Sequence, residues 1–230
     1  MAGFLGDDKW HDDMIRVIVC DDAALLRRRI VVQLEAESDI DVMAETADGE
    51  HAINVSRELA PDVVIVGMRI GLGGPRTAAG IREVVPSAHV VMLTTHEDEI
   101  EAVRAIKAGA TGFLNRDGYQ HAAAVVRAVS AGVVALPPLV AQGVLAEYQA
   151  LHDGGGATLR GLEVPELTER ERAVITTLAK GQPYAVVVEE LGLGDHTVRN
   201  LAANAVEKLH RYARTEAVAY AVGERLFQDT

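Results

Sequence analysis

The sequence holds a single cysteine, Cys20, which excludes an internal disulfide. A lone thiol at the end of an apolar run fits a reducing compartment, so a cytoplasmic location is expected. Long apolar runs are missing too. None approaches the roughly 18 residues of a transmembrane helix, and no membrane partner is expected. The opening residues, MAGFLGDDKWHDDM, lack a basic region and an apolar core, so they do not read as a signal peptide. Residues 1–14 read as a flexible tail, in which Met14 is an equally good start. The eight histidines are scattered, and none stands near a cysteine or an acid at metal-ligand spacing. No metal and no cofactor is expected. Gly71-Leu72-Gly73-Gly74 lacks a following Lys-Ser/Thr pair and is no nucleotide loop. No nucleophile, base and acid form a recognisable set, so an enzyme is not expected. Basic charge is also short: 22 Lys and Arg stand against 34 Asp and Glu, a net charge of −12.

What is present is globular. Hydrophobic residues make up 49% and charged residues 24%, ample for two cores in 230 residues. The most readable stretch is 167–209. Thr168 and Glu171 are spaced as a capping box, in which a hydroxyl and a carboxylate satisfy free N–H groups at a helix start. Val174, Ile175 and Leu178 follow at helical spacing, and Gly181 stops the run. Pro183 suits the first turn of a second helix carrying Val186, Val187 and Leu191. A third helix starts near Asp195. Its Val198, Leu201, Ala202, Ala205, Val206 and Leu209 form one buried stripe, and its other face shows polar and basic residues. Two short helices joined by a glycine turn read as helix-turn-helix, with the latter helix entering the major groove.

LTERERAVITTLAKG, TVRN and EKL resemble the C-terminal DNA-binding domain of the NarL/FixJ (LuxR-type) transcription factors. The resemblance implies DNA contacts from Arg199, Asn200 and Ala203, and Thr197, Asn204 and Lys208 on the same polar side of the helix are expected to join them. Arg suits guanine or phosphate, Asn suits adenine, and Ala offers only apolar contact to a thymine methyl. This quarter of the chain is not basic, with 9 Lys and Arg against 11 Asp and Glu over residues 156–230. Affinity then has to come from local placement and from dimerisation. A fourth helix is predicted over 215–227; in the family its equivalent packs two DNA-binding domains together.

The first half alternates short apolar runs with helical stretches. Strands are predicted at 16–20, 41–44, 62–66, 88–93 and 111–114. Helices are predicted at 24–36, 50–59, 78–85, 99–108 and 121–131. The pattern implies a doubly wound, five-stranded parallel sheet of flavodoxin-like type, with its site beyond the C-terminal strand ends. IRVIVCDD, PDVVIVGMRI, VVMLTTHEDE and GATGFLNRD resemble the receiver domain of response regulators. The expected division is a tail at 1–14, a receiver at 15–133, a linker helix and flexible linker at 134–166, and an all-α four-helix helix-turn-helix domain at 167–230.

The receiver's phosphorylation pocket corresponds to Asp21, Asp22, Gly67, Thr94 and Arg116. Where the family carries its phosphoacceptor Asp this chain has Gly67, and where it carries Lys this chain has Arg116. Gly67 offers no nucleophile, and two carboxylates alone would hold Mg²⁺ weakly. An atypical, phosphorylation-independent receiver follows, resembling those of actinobacterial developmental regulators of the WhiI type. Arg116 either replaces the ion by bridging Asp21 and Asp22 or faces solvent. Phe113 and Thr94 are expected to act as packing residues. The expected function is a sequence-specific transcriptional regulator, binding double-stranded DNA as a homodimer, or as a heterodimer with a related regulator, with RNA polymerase as a further contact. The alternatives are a small-molecule ligand in a void at Gly67, or an interaction module that acts through a related regulator without reading DNA.

Overall fold

Five apolar runs become one parallel sheet in the computed structural model, which describes residues 14–95, 99–134, 136–153 and 165–228. The strands are β1 (Ile15–Cys20), β2 (Ile40–Thr46), β3 (Val63–Gly67), β4 (His89–Thr94) and β5 (Ala110–Asn115), in the order β2-β1-β3-β4-β5. Every pairing is parallel. The helices between them are α1 (Ala24–Glu35), α2 (Gly49–Leu59), α3 (Gly74–Val84) and α4 (Glu99–Lys107), with α5 (Ala122–Ser130) after β5. A 3-10 turn, Arg116–His121, leads into α5.

The strands are near-continuous Val, Ile and Leu because both faces of the sheet are covered. Val17, Val19, Ile65, Val91 and Leu93 pack with Ile30, Leu34 and Val126 on one side. Ile18, Val64, Val66 and Met92 pack with Ala78, Ile81 and Ile106 on the other. Register brings the C-terminal ends together: Cys20 pairs with Val66, Gly67 with Leu93, and Thr94 with Asn115. The expected doubly wound receiver is what forms.

The remainder is helical: α6 (Pro138–Asp153), α7 (Glu169–Ala179), α8 (Tyr184–Leu191) and α9 (Asp195–Gln228). α7 opens on the capping box, with Thr168 Oγ1 accepting from Glu171 N and Glu171 Oε2 accepting from Thr168 N. Gly192 ends α8 in the left-handed region at φ 61°, which a glycine enters without a Cβ penalty. One expectation changes here. The third and fourth helices run on as one 34-residue helix. Arg211-Tyr212-Ala213-Arg214 holds no Gly or Pro, so nothing interrupts the intrahelical bonds. The predicted linker helix is also a packed element. Val140, Ala141, Val144 and Tyr148 of α6 are buried, and Tyr148 donates to the Ala205 carbonyl of α9 at 2.7 Å. The glycine-rich segment predicted as a flexible linker falls mainly on residues 154–164, outside the described residues.

The helical half docks against the receiver. Lys107 of α4 pairs with Glu147 of α6 at 2.8 Å, and Tyr184 donates to the Val134 carbonyl at 2.8 Å. His210 of α9 reaches the Ala110 carbonyl at the start of β5, at 3.2 Å.

Candidate nucleic-acid interface and receiver pocket

The parallel register gathers Asp21, Asp22, Gly67, Thr94 and Arg116 at the C-terminal edge of the sheet. Asp21 is fully buried. Its Oδ1 accepts the Ala23 amide at 2.9 Å, and its Oδ2 accepts from the Arg116 guanidinium at 2.5 Å. The same guanidinium lies 3.7 Å from the exposed Asp22. Burial pushes the Asp21 carboxyl above its ordinary range, opposed by the Ala23 N–H and by Arg116. Of the two readings of Arg116, the bridging one describes the geometry. Thr94 is half-buried beside this cluster, and Phe113 is buried in the core.

Gly67 is not beside a void. A Cβ placed there would lie 2.2 Å from Asp21 Oδ2 and 3.0 Å from Ile70 Cγ2. The space a side chain would need is already filled by the Asp21 carboxylate. The residues also do not fit the Mg²⁺ that the fold family implies. Both Asp21 oxygens are engaged, Gly67 brings no carboxylate, and the guanidinium sits where a cation's charge would act.

The second cluster lies along α9. Thr197, Asn200 and Asn204 are exposed, and Ala203 is half-buried. Asn200 Nδ2 is 3.1 Å from His196 Nε2. Arg199 is drawn back onto its own domain. Its Nε donates to Asp195 at 2.6 Å, and its guanidinium lies over the Tyr184 ring, 5.4 Å from the centroid. Ala203 and Asn204 line a cavity of about 170 Å³ that they share with Thr111, Val133 and Val134 of the receiver half. The candidate reading face is therefore open over the first two turns of α9 and at Asn204, and the receiver stands beside Ala203.

Residues 17–126 match the response regulator receiver domain, and residues 165–221 match the bacterial regulatory proteins of the luxR family. The transcriptional regulatory protein LnrK of Bacillus subtilis is 33% identical over 218 residues, which cover 91% of this chain and 97% of that protein. The chain belongs to the luxR-type response regulators. The transcriptional regulatory protein LiaR of the same organism is 31% identical over 90% of this chain and 97% of its own length. A LuxR-family two-component response regulator from Aurantimonas, of known structure, is similar at 28% identity and a TM-score of 0.53, over 58% of this chain and 97% of that one. This response regulator is thus a DNA-binding transcriptional regulator by family.

Set against that identity, Lys208 needs a correction. Grouped by helical spacing with the DNA-reading residues, its Nζ instead donates to Glu171 at 2.6 Å and to the Glu166 carbonyl at 3.0 Å. It completes the buried α7 cap. Helical spacing gives the face of a residue but not the neighbour packed against its flank. Sequence reasoning also passed over Tyr184, which carries Arg199, and over His89 and His210. The one available signal for His210 was its place after Leu209, at the margin of the apolar stripe.

Proposed function

We propose that this response regulator binds specific DNA sequences through α9, as a dimer in the cytoplasm, with a receiver that works without phosphoryl transfer. The observation that carries the second clause is the Asp21–Arg116 pair lying in the space that a side chain at position 67 would take. A carboxylate nucleophile and a metal ion are both replaced by one internal ion pair. In this it is of the orphan kind that the actinobacterial developmental regulators represent. The alternative of a ligand held in a void at Gly67 loses its support, because Asp21 fills that space.

For DNA reading, the support is the face made by Thr197, Arg199, Asn200, Ala203 and Asn204. A helix with its side chains is about 10–12 Å across and fills a major groove about 12 Å wide. The duplex then needs the whole face, including Ala203 and Asn204. The docked arrangement is accordingly a resting form, and DNA reading requires α9 to leave the receiver. Arg199 has to swing from Asp195 and Tyr184 to a base or phosphate. The test is binding of the purified full chain to promoter fragments, with and without a small acyl-phosphate donor and Mg²⁺. Binding is expected to be indifferent to the donor and to fall about 10- to 100-fold in Arg199→Ala, the range of one bidentate base contact. A donor-dependent gain in binding would sink the phosphorylation-independent reading. Unchanged binding by Arg199→Ala would sink the proposed role of α9.

A further inference from the structure

The face between receiver and reading helix contains polar groups that the fold leaves unmatched. His210 is buried at 3% exposure. Its Nε2 lies 3.2 Å from the Ala110 carbonyl, which can only accept, so Nε2 carries the hydrogen. In the neutral ring Nδ1 is then bare, and it faces the Glu207 carboxylate at 3.4 Å. Two acceptors oppose each other with no hydrogen between them, and Nδ1 has no hydrogen-bond partner. His89, on the receiver side of the same cavity, likewise has a buried Nδ1 with no partner. Unmatched buried nitrogens of this kind ask for an explanation.

The cavity itself limits the answer. At about 170 Å³ it is smaller than the roughly 300 Å³ at which ordinary ligand pockets begin. Among the described residues no three His, Cys, Asp or Glu side chains gather as a metal site. What can still act on so small a site is a proton, and it would put a charge on rings that burial keeps neutral.

We infer that this face is a proton-operated latch: His210, with His89 beside it, holds the domains together while uncharged and frees α9 when protonated. The inference rests on the reading of α9 as the DNA-binding helix and names the signal that exposes it. The direction follows from what surrounds the imidazoles. From α9 itself comes Glu207, about half exposed and so already well hydrated. From α3 comes Arg82, of the same sign as an imidazolium, which donates to the Pro86 and Ala88 carbonyls. Asp62, before β3, acts on His89 as a partial counter-charge. On α4, which packs against α9, Lys107 is engaged by Glu147 and Arg104 by Glu101. Glu207 and the Ala110 carbonyl favour a charged His210, and Asp62 a charged His89; burial and Arg82 oppose both. Burial, the largest cause, holds both imidazoles below the ordinary 6.5. The docked form is therefore complete above pH 6.5 and is lost as pH falls toward the depressed values.

The test follows the full chain by small-angle X-ray scattering from pH 7.5 to 5.5 without DNA, and by DNA binding over the same series. Wild type is expected to extend on acidification, with DNA affinity rising roughly tenfold, within the usual span of coupling between sites. His210→Gln keeps an amide donor for the Ala110 carbonyl but takes no proton. It is expected to stay compact throughout. Wild type that stays compact at pH 5.5 overturns the latch, as does a His210→Gln protein that extends equally. Should that variant fail to fold, the wild-type ring resonances decide: a His210 that titrates at or above 6.5 with the domains docked also overturns it. Extension without any gain in DNA binding leaves the latch standing and removes the DNA-reading proposal instead.

Discussion

The two ends of the receiver sheet treat buried charge in opposite ways. At the C-terminal end, Asp21 meets Arg116 and the Ala23 amide, and each buried oxygen has a partner. At the N-terminal end, where β4 and β5 begin, His89 and His210 present buried nitrogens with none. The first arrangement is matched and has one stable form. The second holds only while its imidazoles are uncharged and so can have two. The unmatched groups thus lie at the end of the sheet away from the acidic pocket.

The widest separation between the two ends should come from Arg116→Ala. Removing one partner of a buried pair costs about 3–5 kcal/mol, and the part-exposed guanidinium lowers that to about 2–3 kcal/mol here. Thermal melting should fall by several degrees. The sign with pH is fixed by Asp21, which burial already holds above its ordinary 3.8. The fold takes up this proton more readily than the unfolded chain does, so the Asp21 contribution is largest in acid and declines as pH rises through the raised value. Without Arg116 that loss deepens. The deficit of the variant should be greatest at neutral pH and should shrink toward pH 4. Equal deficits at both would break the comparison.

Gly67→Ala should come next, at about 1–3 kcal/mol, the usual range for overfilling a packed site. Its methyl would meet Asp21 Oδ2 at 2.2 Å. In the Arg116→Ala background the freed Asp21 side chain can move aside, so the same methyl should cost less. A double-mutant cycle by chemical denaturation reads that coupling, and strict additivity would argue against a shared space. The smallest effect belongs to Lys208→Met, about 1 kcal/mol lost from the α7 cap. Its DNA affinity should keep the wild-type salt slope, since a phosphate-contacting lysine would lower that slope by about one. A reduced slope would return Lys208 to the reading face.

Much of this was legible in residue order. Strands of Val, Ile and Leu ending on Asp21, Gly67, Thr94 and Asn115 already described a parallel sheet with its pocket at one edge. The replacement of Asp and Lys by Gly67 and Arg116 already suggested an internal ion pair. Long-range placement was harder. His89 and His210 stand far apart in the chain and belong to different halves, and no local pattern joins them. Lys208 shares a helix with Arg199, but its partner Glu171 is on another. The continuity of α9 was masked by the expectation of a fourth helix, although the Arg211–Arg214 stretch holds no helix breaker.

That continuity has a mechanical side. His210 lies fifteen residues along α9 from Asp195, and at 1.5 Å per residue this is an arm of roughly 22 Å. A straight rod pivoting near His210 by ten degrees would carry the tip at Asp195 through about 4 Å and Arg199 through about 3 Å, close to one base-pair step. With no joint between fulcrum and tip, a slight loosening around one imidazole is delivered along the whole arm to the residues proposed to address DNA.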